Sequence, residues 1–183
     1  MTEVERLAAF AVRSSWDDLS ADAQTALKIR VLDALGCAIG ALEAEPIVAI
    51  REQTDDFAGR PLCTLIGGGR TAPDRAAFLN GALVRYLDLN DSYLPPGETC
   101  HPSDNLAPVL AAAESATASG RDLLAALAAA HQVQCRLCDE RRFETAASTT
   151  PPRARTRSSP ASRGRWVSTS SERGTRSRSP AHR

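Results

Sequence analysis

At Glu140 the chain changes character, and no single packed unit can be built across that change. Residues 1–140 carry 11 Lys and Arg against 20 Asp and Glu, a net charge of −9. Residues 141–183 carry 11 Arg against two Glu, a net charge of +9, so the formal charge of zero hides a split. From Arg141 to Arg183 there is no Leu, Ile, Met, Tyr or Cys. Arg, Ser, Thr, Pro and Ala dominate there, with an isolated Trp166. Such a segment buries too little apolar surface to offset its chain entropy. The chain therefore divides into a folded unit over 1–140 and a tail over 141–183 that is expected to be disordered. The whole is long enough for one domain with a sizeable core.

Residues 1–140 read as successive helices, so the fold class expected is all-α. Thr2 with Glu5 makes a capping-box pattern ahead of VERLAAFAV. Ser20 is placed to cap a longer helix in which Leu27, Val31, Leu35 and Ile39 follow one another four apart along one face. Gly36 and Gly40 share a neighbouring stripe. Glycine costs about 1 kcal/mol in a helix interior, and close approach of another element is the expected return. Pro46 suits the first turn of PIVAIREQTDDFA. PLCTLIGGGRTAP reads as a short extended piece and a turn. Thr71 or Pro73 then opens a helix through DRAAFLNGALVRYLDL. Ser103 or Asp104 is expected to cap LAPVLAAAESATA, with Pro108 tolerated in its first turn and Gly120 at its end. RDLLAALAAAHQVQCRLCDE is the last helix. No stretch alternates at period two for long enough to build a sheet.

Five cysteines, Cys37, Cys63, Cys100, Cys135 and Cys138, are too few and too scattered for the disulfide framework of a secreted miniprotein. MTEVERLAAF places acids where a signal peptide needs positive charge. No run of about 18 apolar residues suggests a membrane span. These features predict a cytoplasmic protein with no membrane partner.

Chemistry concentrates in Arg85–Asn105, RYLDLNDSYLPPGETCHPSDN. If the preceding helix continues through Ser92, Asp88 and Ser92 lie at i and i+4 on one face, with Asp91 one turn from Asp88. Pro95, Pro96 and Gly97 force a loop that returns to His101 beside a new helix start. Two carboxylates, hydroxyls and an imidazole at one junction suit proton transfer next to a carbonyl or carboxylate. Backbone N–H groups at the helix start after Ser103 favour a carboxylate ligand. The same inventory also fits an ordinary capped loop with Asp and Ser as turn formers.

Other motifs carry less. Gly67–Arg70, GGGR, lacks the spacing and the strand–helix context of a phosphate loop and reads as a plain turn. Cys135-x-x-Cys138 has no second pair to complete a zinc site and reads as two small helical residues, so no metal is expected. His131, on an Ala/Leu-rich helix, reads as structural. The Arg/Ser-rich tail admits an alternative function, a helical module with a basic arm for nucleic acid. Its opposite reading is an untemplated or misread extension, which makes nucleic acid an unexpected partner.

The segment VRYLDLNDSYL followed by GETCHPSDNLAPVLAAAE resembles the signature region of the MmgE/PrpD family, whose namesake is 2-methylcitrate dehydratase. LDALGCAIGAL, the stretch around Thr71–Asn80 and QVQCRL resemble it too, so the likeness covers roughly residues 3–139. The HPSDN form and the Asn90–Asp91 pair are closer to the 2-methylcitrate dehydratase branch than to the cis-aconitate decarboxylases, which resemble DFDDT…HPS. The resemblance implies a lyase that eliminates water from a small tricarboxylate without a cofactor or iron–sulfur cluster, and a homodimer. It implies an all-helical domain, of which residues 1–140 would be part, followed by a lid domain. By motif position it implies Asp88, Ser92 and His101 as catalytic residues. Ser92 stands where relatives often carry Thr, which keeps the hydroxyl. Asn90 and Asp91 then orient the substrate, and Ser103 and Asp104 join them as substrate-binding residues.

After QVQCRLCDE the chain departs from that pattern. The family continues with a stretch like RGFDHTTQGAY, whose His belongs to the active site. Here the chain reads RRFETAASTTPPRARTRSSP. Choosing G/C-rich codons for Ala146–Thr169 and reading one base upstream yields RGFDHTTQGAYSVVAGVSRALGLD, which restores the missing motif. The expectation is therefore a frameshift close to Glu140, a truncated helical domain with exposed apolar faces, and little or no activity for the chain as written.

Overall fold

The computed structural model of the protein describes residues 1–95 and 99–140. The expectations for 141–183 (its disorder, its shifted frame and its nucleic-acid alternative) lie outside the described residues. Helices α1 (Glu3–Arg13), α2 (Ala21–Gly40), α3 (Glu45–Phe57), α4 (Pro73–Tyr86), α5 (Leu106–Ser115) and α6 (Gly120–Glu140) account for most of what is described. Single 3-10 turns stand at Trp16–Asp18 and Pro102–Asn105. Strands β1 (Cys63–Thr64) and β2 (Arg70–Thr71) pair antiparallel, Cys63 with Thr71 and Thr64 with Arg70. The fold is all-α, with this two-residue ribbon as its one named sheet among the described residues.

Local chemistry sets the helix starts. Thr2 accepts from the Glu5 N–H while the Glu5 carboxylate accepts from the Thr2 N–H, the reciprocal cap expected of that pair. Ser20 caps α2 through the Ala23 N–H. Pro46 and Pro73 sit in first turns, where the missing N–H costs nothing. Of the two openings expected for α4, the Pro73 one forms, because Thr71 is held in β2.

Helix α4 is the centre of the packing. It buries Ala76, Leu79, Asn80, Leu83 and Val84 and lies against α2, α3 and α5. Leu79 and Leu83 are fully buried, each contributing about 2 kcal/mol of apolar transfer. Asn80 is buried at the same face with its amide satisfied. It accepts from the Ile66 N–H at 2.9 Å and donates to the Thr64 carbonyl at 2.8 Å, seating the ribbon on α4.

Three expectations are corrected. On α2 the buried residues are Leu27, Ala34, Cys37 and Ala38, and Ile39 is 62% exposed. A spacing of four overshoots a 3.6-residue turn by about 40° per step, so after three steps Ile39 has rotated off the core. Gly40 does face a close neighbour, since an added Cβ would meet Leu87 at 3.1 Å, but Gly36 faces open space. Finally, α5 ends at Ser115 and Gly120 begins α6 instead of closing α5. The sequence Ser119-x-x-Asp122 explains the start: Ser119 Oγ accepts from the Asp122 N–H, and the Asp122 carboxylate accepts from the Ser119 N–H.

The GGGR segment is the plain turn expected. Gly67, Gly68 and Gly69 all have positive φ, and a Cβ at Gly67 would run into Leu42 at 2.5 Å. Arg51 fastens it by donating to the carbonyls of Ile66 and Gly68.

Candidate active site

Helix α4 stops at Tyr86, and Asp88 takes a left-handed backbone with φ of 51°. Aspartate tolerates that conformation better than most residues. The helical i, i+4 arrangement of Asp88 and Ser92 therefore does not form. The site is assembled by the loop instead, in two adjoining groups.

The first group surrounds Arg85. Its guanidinium donates to Asp88 Oδ1 at 2.8 Å and Asn90 Oδ1 at 2.9 Å, and its Nε lies 2.9 Å from Asp104 Oδ1. One planar fork thus draws together both ends of the 88–104 segment. The second group is built by the pairing of Tyr93 with Cys100, whose amides and carbonyls exchange hydrogen bonds of 2.8 and 3.1 Å. That clasp carries Ser92 back onto His101. His101 Nδ1 lies 2.9 Å from the Asp91 carbonyl and 3.3 Å from Ser92 Oγ. A carbonyl only accepts, so Nδ1 carries a hydrogen. The Asp91 carboxylate accepts from the Ser103 N–H at 3.1 Å.

This last bond replaces the cap expected from Ser103 or Asp104. The turn Pro102–Asn105 intervenes before α5, which has no side-chain cap of its own. Asp91 reaches across from the loop to hold the N–H instead. Three buried polar atoms in this neighbourhood have no partner among the described residues: Asn90 Nδ2, Ser103 Oγ and His131 Nε2. Native structures satisfy almost all such groups, so the partners of these three lie beyond the described residues.

The structure thus brings Ser92, His101, Asp91 and Ser103 into direct contact and gathers Asp88, Asn90 and Asp104 around Arg85. Arg85 escaped the sequence reading as a candidate site residue. Arg85 was visible as a cation one turn before Asp88. His131, read as structural, lies on α6, which packs against the Pro102–Asn105 turn. Tyr93 donates from its hydroxyl to Asp139 at 2.7 Å, which with burial pushes its pKa up to about 12. Cys135 and Cys138 lie on α6 as free thiols. Burial, first, and then these neighbours raise the pKa of the Cys100 thiol. Among the described residues no helix is long and apolar enough to cross a membrane.

Residues 5–173 match the MmgE/PrpD N-terminal domain. The 2-methylcitrate dehydratase of Escherichia coli (strain K12) is 35% identical over 116 residues, covering 57% of this chain and 24% of that protein. The mitochondrial 2-methylcitrate dehydratase of Yarrowia lipolytica is 32% identical over 139 residues, covering 69% of this chain and 26% of that protein. That of Cupriavidus necator is 43% identical over 72 residues, covering 34% and 15%. The chain spans about a quarter of the length of the first two relatives. Since the domain match takes in most of the chain, the loop that joins Ser92 to His101 included, this protein belongs to the MmgE/PrpD family.

Proposed function

We propose that Arg85–Asn105 is one part of the active site of a hydro-lyase that eliminates water from a small tricarboxylate of the 2-methylcitrate type. The observation that carries this reading is the His101 imidazole, fixed through Nδ1 by the Asp91 carbonyl and Ser92. Elimination needs a base to take the proton from the carbon beside a carboxylate, and an acid to protonate the hydroxyl leaving the neighbouring carbon. A C–H and a C–O bond break, a C=C bond forms, and water departs. Asp88, Ser92 and His101 are the groups for these transfers. Ser103 Oγ and Asn90 Nδ2 offer donors for carboxylates, while Asp91 and Asp104 tie down the segment that carries them.

On this reading the working enzyme is a cytoplasmic homodimer. Five free thiols suit a reducing compartment, and the exposed Ile29, Leu32 and Ile39 of α2 suit burial against further protein. The reading also holds that the segment after Glu140 is out of frame, as the loss of apolar residues and the restored RGFDHTTQGAY motif suggest. Residues 1–140 then form part of the helical domain, and the chain as written turns over little or no substrate. The nucleotide sequence around codons 138–146 tests that part. A single intact frame, with no family-like peptide in the other, would overturn it.

The catalytic part is tested with the frame-restored protein and 2-methylcitrate. Turnover is expected, with a loss of about 10²- to 10⁴-fold in His101→Ala. Unchanged turnover in that variant would refute the assignment. Release of carbon dioxide from cis-aconitate in place of water elimination would move the reaction to the decarboxylase branch.

A further inference from the structure

We propose that Arg85 is a positioning residue for the elimination: its guanidinium fixes where the Asp88 carboxylate stands, and it acts on the reaction through that carboxylate. The inference rests on the hydro-lyase reading and adds to it a residue that neither the motifs nor the family likeness assign.

Asp88 occupies a place that does not favour a side chain. Helix α4 ends at Tyr86 with Leu87 as its C-cap, and Asp88 follows with φ of 51°. Helices most often stop on glycine at that place, because a Cβ is strained in the left-handed region. The carboxylate returns little of this as stability. It is 74% exposed, and an ion pair so open to water contributes little to folding. Yet it does not swing freely, since Arg85 Nη2 donates to Asp88 Oδ1 at 2.8 Å. A helix stop needs no carboxylate there. A group that must be presented in one place to a ligand needs both the exposure and the tether.

Arg85 is suited to provide the tether. It lies in the last turn of α4, the helix at the centre of the packing, and its side chain is 27% exposed. Nη1 donates to Asn90 Oδ1 at 2.9 Å, and Nε lies 2.9 Å from Asp104 Oδ1. Three acceptors on three nitrogens of one planar group leave that plane no freedom to turn. Asp88 is therefore fixed by α4 on one side and, through the same plane, by Asn90 and Asp104 on the other. Lysine would keep the charge and lose the plane.

The test uses the frame-restored protein with 2-methylcitrate. Arg85→Lys should lower kcat about tenfold or more and leave KM within about twofold, the mark of a residue that sets the geometry of the reacting groups without holding substrate. Arg85→Ala should lose about 100-fold in kcat. Guanidinium ion, added well below unfolding concentrations, should recover part of that loss, and sodium chloride at equal ionic strength should not. Asp88→Ala should gain nothing from guanidinium, because nothing remains to be positioned. In the 183-residue chain, Asp88→Gly should keep or raise the urea midpoint. The proposal is overturned by wild-type kcat in Arg85→Lys and Arg85→Ala, by a raised KM with kcat intact, by a loss that guanidinium leaves untouched or recovers equally in Asp88→Ala, or by a lower midpoint in Asp88→Gly. Loss of turnover in His101→Ala alongside any of these results leaves the hydro-lyase reading standing and removes only the role of Arg85. If the frame-restored protein itself does not turn over 2-methylcitrate, that reading falls, and the inference falls with it.

Discussion

The Gly67–Gly69 turn and the Leu87–Cys100 loop are both irregular, both rich in polar groups and both organised by arginine, yet they close their hydrogen bonds in opposite ways. At the turn, Arg51 and Arg70 donate to the carbonyls of Ile66, Gly68, Pro61 and Leu62, and Asn80 satisfies both groups it faces. In the loop, Arg85 gathers side chains, Asp88, Asn90 and Asp104, while Asn90 Nδ2 and the nearby Ser103 Oγ have no partner among the described residues. The density of polar residues does not separate a scaffold from a site here. The difference lies in which polar atoms are left without partners.

The comparison can be broken by mutation, beginning where the expected effect is largest. Asn80→Ala should leave the Ile66 N–H and the Thr64 carbonyl unpaired in the interior and cost about 2–4 kcal/mol of stability in urea unfolding. A change below about 0.5 kcal/mol would mean the turn is not fastened as described. Arg85→Lys keeps the charge but gives up the planar fork, so about 1 kcal/mol should be lost, with the two ends of the 88–104 segment loosening together in hydrogen exchange. Exchange that rises at one end alone would separate the two halves of the site.

Ser103→Ala offers the sharpest contrast with Asn80→Ala, because it deletes a hydroxyl that bonds to nothing within the described protein. Stability should change by no more than about 0.5 kcal/mol, whereas citrate affinity should fall roughly tenfold. A large destabilisation would place that hydroxyl with the scaffold. The smallest effect concerns the tie between loop and α6. Tyr93 keeps its proton in the folded state up to about 12, above the ordinary tyrosine value near 10. Between these values the folded chain binds more protons than the unfolded one, so stability declines as pH rises through that window. Tyr93→Phe should flatten the decline in urea midpoints taken from pH 9.5 to 11.5. An unchanged slope would assign it to other groups.

Much of the scaffold was legible in the sequence because its determinants are local. Thr2–Glu5, Ser20, Pro46 and Pro73 act within one turn of their own helix, and each does what its residue type dictates. The failures have a common origin in distance along the chain. The α2 face drifted because a four-residue spacing is not the helical repeat. The cap on Ser103 came from Asp91, 12 residues away in sequence. The residues of the candidate site were legible as a set, Asp88 through Asp104. Their mutual arrangement was not, since it depends on a left-handed Asp88 and a Tyr93–Cys100 clasp that no periodicity announces.

The central claim is that the Arg85–Asn105 loop, and not the glycine turn, is where a tricarboxylate binds. Amide and side-chain NMR of the 183-residue chain titrated with citrate tests this directly. The resonances of Arg85, Asn90, Ser92, His101 and Ser103 should shift along one common binding curve while those of Gly67–Thr71 stay fixed. Shifts centred on the glycine turn, or no saturable shift in the loop, would contradict the account.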